Sequence, residues 1–260
     1  MRLKHAHYKA GAWANEVLQV VRGPVINALY KRPPTHYLGY VIDGKVPVIL
    51  IPGVLNRWGY MKGLGTAISL LGHPVHIVPE LGSNIESIPK SARIVHSLVR
   101  SLFSPPPHTL PQVRAGAESI RDYIHDKDLK GVVLVAHSKG GLIGKYVLAH
   151  YNEGGRVLGL VAIATPFSGS AMATLFRHAA LRELEAGSEI IQYLDNHRDV
   201  NKKIISIYPE YDTHVWAKRG SFLEGAKNIE LPVHGHSVID TKEVRAAVIT
   251  AVEKLTRTAI

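Results

Sequence analysis

The clearest pattern in the chain is a series of short, unbroken apolar runs separated by stretches with helical spacing. Aliphatic and β-branched runs without a polar position are typical of strands buried on both faces of a parallel sheet. Between them, apolar residues recur every three or four positions, which predicts helices with one buried face. This alternation predicts an α/β fold with a mostly parallel central sheet of about six strands flanked by helices. The predicted strands lie at 46–51, 75–78, 132–136, 157–164, 204–208 and 229–231.

Helical spacing is clearest in the closing stretch, where apolar residues from Val244 to Leu255 share one face. Near the amino terminus, an apolar face over 17–30 is interrupted at Gly23-Pro24, which predicts a broken or kinked helix. The remaining predicted helices fall at 61–71, 94–102, 113–124, 142–147 and 190–194.

A serine stands where the central apolar run turns into a helix. The run from Val132 to Ala136 is followed by His137, Ser138 and Lys139 and then by two glycines. Small residues two before and two after the serine, here Ala136 and Gly140, are required by the strained strand–turn–helix that presents a nucleophile. The sequence therefore predicts Ser138 as a nucleophile at the edge of the sheet.

A serine hydroxyl needs a base to accept its proton and an acid to orient that base. When the nucleophile lies on such a turn, the acid and then the base follow it in the chain, each after a strand. Asp212 follows the predicted strand 204–208, with Glu210 as the nearest alternative. His236 follows the last predicted strand, with His234 as the alternative.

Two backbone N–H groups should stabilise the negative charge that forms on the substrate oxygen. We expect them at Lys139, directly after the nucleophile, and at Val54, in the loop after the first core strand. Histidines at 214, 234 and 236 could be imagined as metal ligands, but no HExxH or cysteine-based spacing accompanies them. The sequence therefore predicts no metal and no cofactor.

Composition indicates the cellular location and the kind of partner that the protein is expected to have. The chain has 260 residues, no cysteine and a formal net charge of +10. We therefore expect no disulfide and a cytoplasmic location, with peripheral contact to anionic membrane as a partner suggested by the basic surface. The sequence shows no nucleic-acid motif and leaves the oligomeric state open. For the apolar helical face near the amino terminus, the alternatives are a helix packed on the domain and an interfacial helix lying on anionic lipid. In the second case, removal of residues 1–32 is expected to abolish binding to liposomes and to leave activity intact.

With these residues assigned, the chain resembles the α/β-hydrolase superfamily, and more narrowly the small Bacillus-type lipases and related lipase-like and GPI-inositol-deacylase-like esterases. The resemblance is carried by Ala-His-Ser-Lys-Gly at 136–140, Ala-Thr-Pro-Phe-Ser-Gly-Ser at 164–170, the acid segment 205–215, the segment 223–231 and Gly-His-Ser at 235–237.

The resemblance implies a serine carboxylic-ester hydrolase that uses Ser138, Asp212 and His236 on acyl or lipid esters. An acyltransferase with the same three residues and a binding protein without turnover are the alternatives. Residues 41–260 would form the hydrolase domain and 1–40 a helical extension, with 83–111 as a candidate flap. The chain departs from those lipases at Lys139, where Met or Gln is usual, and in Pro-Gly-Val at the oxyanion loop.

Overall fold

The computed structural model describes residues 11–14, 16, 25, 30, 32–104, 129–170, 173, 179–215 and 220–257. Within them lies one sheet of six parallel strands in the order β2-β1-β3-β4-β5-β6. The predicted mostly parallel, six-stranded sheet is therefore confirmed. The strands are β1 (Val48–Ile51), β2 (Val75–Ile77), β3 (Val132–His137), β4 (Val157–Ile163), β5 (Ile204–Tyr211) and β6 (Lys227–His234).

Helices connect the strands and cover the sheet, as the alternating pattern predicts. The α-helices are α1 (His36–Gly39), α2 (Lys62–Ser69), α3 (Ile88–Phe103), α4 (Lys139–His150), α5 (Ala179–Arg182), α6 (Glu189–Asn196) and α7 (Lys242–Arg257). Short 3-10 helices lie at Trp58–Met61, Pro79–Leu81 and Asp199–Lys203.

The core has two layers because successive side chains of a strand point to opposite faces of the sheet. Ile49 and Leu134 pack on the face covered by α3 and α4. Their neighbours Leu50 and Val135 pack on the other face, against α2 and α7. Both faces of the central strands β1, β3 and β4 are thus buried, which explains why their sequences are apolar at nearly every position.

The boundaries differ from the predicted ones where polar residues continue an element. Helix α3 begins at Ile88 rather than near 94, because the Ser87 side chain accepts the Lys90 N–H and Pro89 occupies the first turn. Strand β5 continues to Tyr211, and β6 spans eight residues rather than three. Among the described helices, none is both long enough and apolar enough to cross a bilayer.

Several predicted features lie outside the described residues in whole or in part. The predicted helix 113–124 falls entirely outside them, and most of 17–30 does so too. Of the candidate flap 83–111, the structure describes residues up to 104. There α3 turns Val95, Val99 and Leu102 into the core, so this helix is an integral part of the layer over the sheet.

Candidate active site

Ser138 lies on a sharp turn between β3 and α4 at the carboxyl edge of the sheet. Its backbone has φ 54° and ψ −125°, a region that residues with a side chain rarely adopt. The turn is held in place because Ser138 N–H donates to the carbonyl of Ile163 in β4, and Gly141 N–H donates to the carbonyl of Ser138. The predicted strand–turn–helix around Ser138 is therefore present.

The small residue two positions after the serine, Gly140, is required because the end of the neighbouring strand β1 lies against it. A Cβ built on Gly140 would lie 2.4 Å from the carbonyl oxygen of Ile51 and 2.9 Å from that of Pro52. Both atoms belong to the backbone and cannot turn aside as a side chain could. Gly140 thus allows α4 to start directly against the end of β1.

The structure brings Ser138, His236 and Asp212 together in one chain of hydrogen bonds. His236 Nε2 lies 2.9 Å from Ser138 Oγ, and His236 Nδ1 lies 3.0 Å from both carboxylate oxygens of Asp212. Asp212 comes directly after β5, and His236 comes two residues after β6. Because these strands are parallel neighbours, both side chains emerge at the same edge of the sheet as Ser138.

The electrostatics of this group favour a charged Asp212 and a basic His236. Burial alone would lower the pKa of His236, but the charge and hydrogen bond of Asp212, with the charge of Glu16, raise it above its ordinary value. Burial alone would raise the pKa of Asp212. The charge and hydrogen bond of His236 and the N–H groups of Val215 and His214 instead hold it below its usual range.

The sequence alternatives lie elsewhere. Glu210 is on the exposed side of β5, where its carboxylate lies 3.7 Å from His234 Nε2. The hydrogen bonds to Ser138 and Asp212 are made by His236. Within the part of the chain that the structure describes, no three His, Cys, Asp or Glu side chains are grouped as metal ligands would be.

The two expected N–H donors flank the serine. Lys139 is the first residue of α4, so its N–H has no acceptor inside the helix. On the other side, a Cβ built on Gly53 would lie 3.1 Å from Ser138 Cβ, which places the loop carrying Val54 directly against the serine. Leu55, the next residue, has φ 61° and lies 63% exposed.

The ammonium group of Lys139 is bound by the loop that precedes α3. Its side chain is fully buried, and Nζ donates to the carbonyl oxygens of Glu86, at 2.5 Å, and Asn84, at 3.4 Å. Burial lowers its pKa to about 8, although Glu183 and Glu86 act in the opposite direction. Asn84 in turn donates through Nδ2 to the carbonyl of Pro52. Lys139 therefore ties the loop before α3 to the nucleophile turn.

Sequence reasoning overlooked two residues that contact the His236 loop. His137 Nε2 lies 3.1 Å from the carbonyl oxygen of His236. Burial, together with the charge of His236, lowers the pKa of His137 to about 3, so a neutral ring donates this bond. Glu16, from the amino-terminal segment, accepts the His236 N–H. The sequence does mark Glu16 as unusual, because it is the only acidic residue among the first 42 residues.

A parallel sheet with a serine on its central strand–helix turn, and a histidine and an aspartate at the same edge, defines an α/β-hydrolase fold. No protein-family model and no curated protein matches the sequence.

Solved structures nevertheless share the fold. A lipase of Bacillus licheniformis in its mature form superposes with a TM-score of 0.60 at 13% identity, over 86% of this chain and 94% of the lipase. Lipase B of Aspergillus fumigatus gives 0.63 at 18% identity, over 85% of this chain and 55% of the lipase. A metagenomic carboxyl esterase gives a TM-score of 0.58 at 16% identity, over 89% of this chain and 80% of the esterase.

These likenesses confirm the α/β-hydrolase fold and the predicted resemblance to lipases. This chain spans about half the length of the Aspergillus lipase and nearly all of the Bacillus lipase.

Proposed function

We propose that the protein is a serine carboxylic-ester hydrolase of the lipase or esterase type. The observation that carries the proposal is the hydrogen-bonded series from Ser138 Oγ through the His236 ring to Asp212. Both distances suit proton transfer and orientation without rearrangement.

In the proposed reaction, His236 Nε2 accepts the proton as Ser138 Oγ attacks the ester carbonyl carbon. Asp212 holds the Nδ1–H tautomer and stabilises the imidazolium that forms. The N–H groups of Lys139 and Val54 would stabilise the oxyanion. His236 then gives its proton to the leaving alcohol, and a water molecule, activated by the same histidine, releases the acid from the acyl-enzyme.

Apolar side chains beside the site support an ester with a hydrocarbon acyl chain. Leu55, next to the expected donor Val54, is 63% exposed, and Ile85 is 43% exposed. The two loops are joined because Asn84 donates to the carbonyl of Pro52. Large exposed aliphatic residues on two adjoining loops next to a nucleophile are suited to contact an apolar substrate. Lipids and other acyl esters are therefore the proposed substrate class.

The test is hydrolysis of p-nitrophenyl esters from acetate to palmitate by the wild type and by Ser138→Ala. We expect the variant to lose on the order of 10⁴-fold or more in kcat. A rate maximum at long chains that moves towards short chains in Leu55→Asn would support the apolar contact, since Asn tolerates the positive φ at this position. Equal, background rates for wild type and Ser138→Ala on every ester would contradict the proposed function. Product analysis with added alcohol separates hydrolysis from acyl transfer.

A further inference from the structure

A carboxylate from the amino-terminal segment lies beneath the loop that carries His236. Glu16 Oε1 accepts the backbone N–H groups of His236 at 2.6 Å and Ser237 at 2.8 Å, and the Thr213 hydroxyl at 3.1 Å. Its other oxygen, Oε2, accepts the Ser237 hydroxyl at 2.7 Å. Four donors, from the loop after β5 and the loop after β6, thus converge on one side chain that is 220 residues away from His236 in the chain.

The surroundings of this carboxylate favour its charged form. Glu16 is only 5% exposed, and burial alone would raise its pKa. The hydrogen bonds from Ser237, the charge of His214 and the His236 N–H outweigh burial and lower the pKa below its ordinary value. A buried carboxylate with this many donors is anchored in one position, because losing any donor would leave charge unsatisfied.

The loop is shaped to accept the segment. Gly235, between β6 and His236, has φ 111°, in the region that favours glycine. A Cβ built there would lie 3.2 Å from Glu16 Oε1 and 3.9 Å from Ala12 Cβ. Ala12 is itself buried. The amino-terminal segment therefore packs directly on the backbone that precedes His236.

We propose that Glu16 is a positioning residue of the active site, which fixes the backbone of His236 and so aims its ring at Ser138. This inference rests on the proposed function. Asp212 orients the ring from its Nδ1 side, but it does not fix the peptide from which the ring projects. Glu16 fixes that peptide and also links it to Thr213, one residue after Asp212.

The assignment changes what the amino-terminal extension is expected to do. If the amino-terminal segment were only an interfacial helix, removal of residues 1–32 would spare activity on soluble esters. That removal takes Glu16 away from the Ser237 N–H and leaves the His236 N–H with the Thr213 hydroxyl, 3.1 Å away, as its remaining acceptor. We therefore expect the truncated protein to lose activity on every ester.

The experiment compares Glu16→Gln and Glu16→Ala with a matched control. Gln keeps an oxygen for the three donors at Oε1 and an amide that can donate to the Ser237 hydroxyl, while it removes the charge. Ala removes both. The control is Glu253→Gln, in α7, whose carboxylate binds Lys45 and His73 at the amino-terminal ends of β1 and β2, the opposite edge of the sheet from Ser138.

Three readouts separate positioning from stability. The first is kcat and KM on a soluble ester, normalised to the active sites titrated by a fluorophosphonate. The second is the pH dependence of kcat/KM. The third is the downfield ¹H NMR resonance of the His236 Nδ1 proton, which reports its hydrogen bond to Asp212. A residue that only stabilises the fold would change the melting temperature and leave these three unaltered.

The direction of the pH effect follows from the groups around Glu16. Besides His236, the titratable groups influenced by its charge are His214, His137 and Tyr60, and Asp212 acts on His236 in the same direction as Glu16. Its negative charge favours the imidazolium of His236, so Glu16→Gln lowers that pKa and moves the acidic limb of kcat/KM to lower pH. In the control Glu253→Gln, we expect the acidic limb of kcat/KM to stay at its wild-type pH.

We expect Glu16→Ala to lose about 10²-fold in kcat with a smaller change in KM, as for a misplaced catalytic group, and its NMR resonance to shift or broaden. Glu16→Gln should lose on the order of tenfold or less and show the shifted acidic limb. If the Ala variant does not fold, the Gln variant alone decides. Wild-type kcat, pH profile and resonance in Glu16→Gln, with Ser138→Ala inactive, would overturn the role of Glu16 and leave the proposed function intact. Inactive wild type that does not react with the phosphonate would overturn both.

Discussion

The two halves of the site are held by different means. The half with Ser138 is local, because the turn, its two small residues and the helix behind it lie within residues 136–150. The half with Asp212 and His236 is assembled from two separate loops, and their shared support, Glu16, comes from the other end of the chain. One half is built from backbone strain, the other from long-range hydrogen bonds.

The two halves should therefore be sensitive to different changes. The strained serine turn is fixed by close packing, so bulk added near it should be damaging. The acid–base half is fixed by charge and hydrogen bonds, so it should respond to loss of a single acceptor and to pH.

The largest effect should come from breaking the acid–base half at Asp212. In Asp212→Asn we expect kcat to fall by about 10⁴-fold, because the amide favours the wrong histidine tautomer. Glu210→Gln is the matched control on the same strand, since Glu210 faces His234 and not His236. Steady-state hydrolysis of a soluble ester measures both. Comparable losses in the two variants would argue against Asp212 as the orienting acid.

The serine half should be disrupted by one methyl group at Gly140. The added Cβ meets the backbone oxygens of Ile51 and Pro52, which cannot move aside. We expect Gly140→Ala to lose about 1–3 kcal/mol of unfolding free energy and about 10²-fold in kcat. Gly154→Ala is the control, because its Cβ would meet only Arg156 Cγ at 3.8 Å. Urea unfolding with parallel ester assays gives both quantities, and an unaffected Gly140→Ala protein would show that the turn has room.

The buried Lys139, next to Ser138, should make the free energy of unfolding depend on pH. Its folded pKa of about 8 lies below that of an unfolded lysine, about 10.4. Between these values the unfolded chain binds a proton that the folded chain does not, so the stability of the wild type rises with pH.

Relative to Lys139→Met, we expect the unfolding free energy of the wild type to gain on the order of 3 kcal/mol between pH 8 and 10.4. Lys145, whose pKa is also lowered to about 8 by burial, is present in both proteins and cancels in the difference. Urea unfolding across this range measures the gain. A difference that stays constant with pH would mean that the Lys139 ammonium stays protonated throughout.

The smallest expected effect is the position of the acidic limb of the wild-type pH profile. Asp212 and Glu16 raise the pKa of His236 above its ordinary value of about 6.5. Because the base must be neutral, kcat/KM should fall as pH drops through this raised pKa, with its midpoint above 6.5. A midpoint clearly below 6.5, measured on a soluble ester, would show that burial outweighs the two carboxylates.

The sequence predicts the serine half well, because its determinants are local. The apolar run, the small residues at 136 and 140 and the following helical spacing all lie in one window. The strands were also predictable, since burial on both faces leaves continuous apolar runs. Their ends were less so, as in β6, where Lys227 and Glu230 continue the strand despite their polarity.

The acid–base half was predictable only in part. The order of residues along the chain and their places after strands indicated Asp212 and His236. Nothing in the spacing could show that Glu16 meets His236, because only the folded chain brings these positions together. Nor could it show that the Lys139 ammonium points to Glu86, since a side chain's direction depends on which loop packs above it.

Covalent labelling distinguishes a nucleophilic Ser138 that is activated by His236 from an unreactive serine. The wild type, Ser138→Ala and His236→Ala would be treated with a fluorophosphonate, and the attachment site and rate determined by mass spectrometry. We expect one probe per chain, attached to Ser138, with no reaction in Ser138→Ala and a rate lower by about 10³-fold or more in His236→Ala. Absence of labelling in the folded wild type, or equal labelling of Ser138→Ala at another residue, would contradict this role of Ser138.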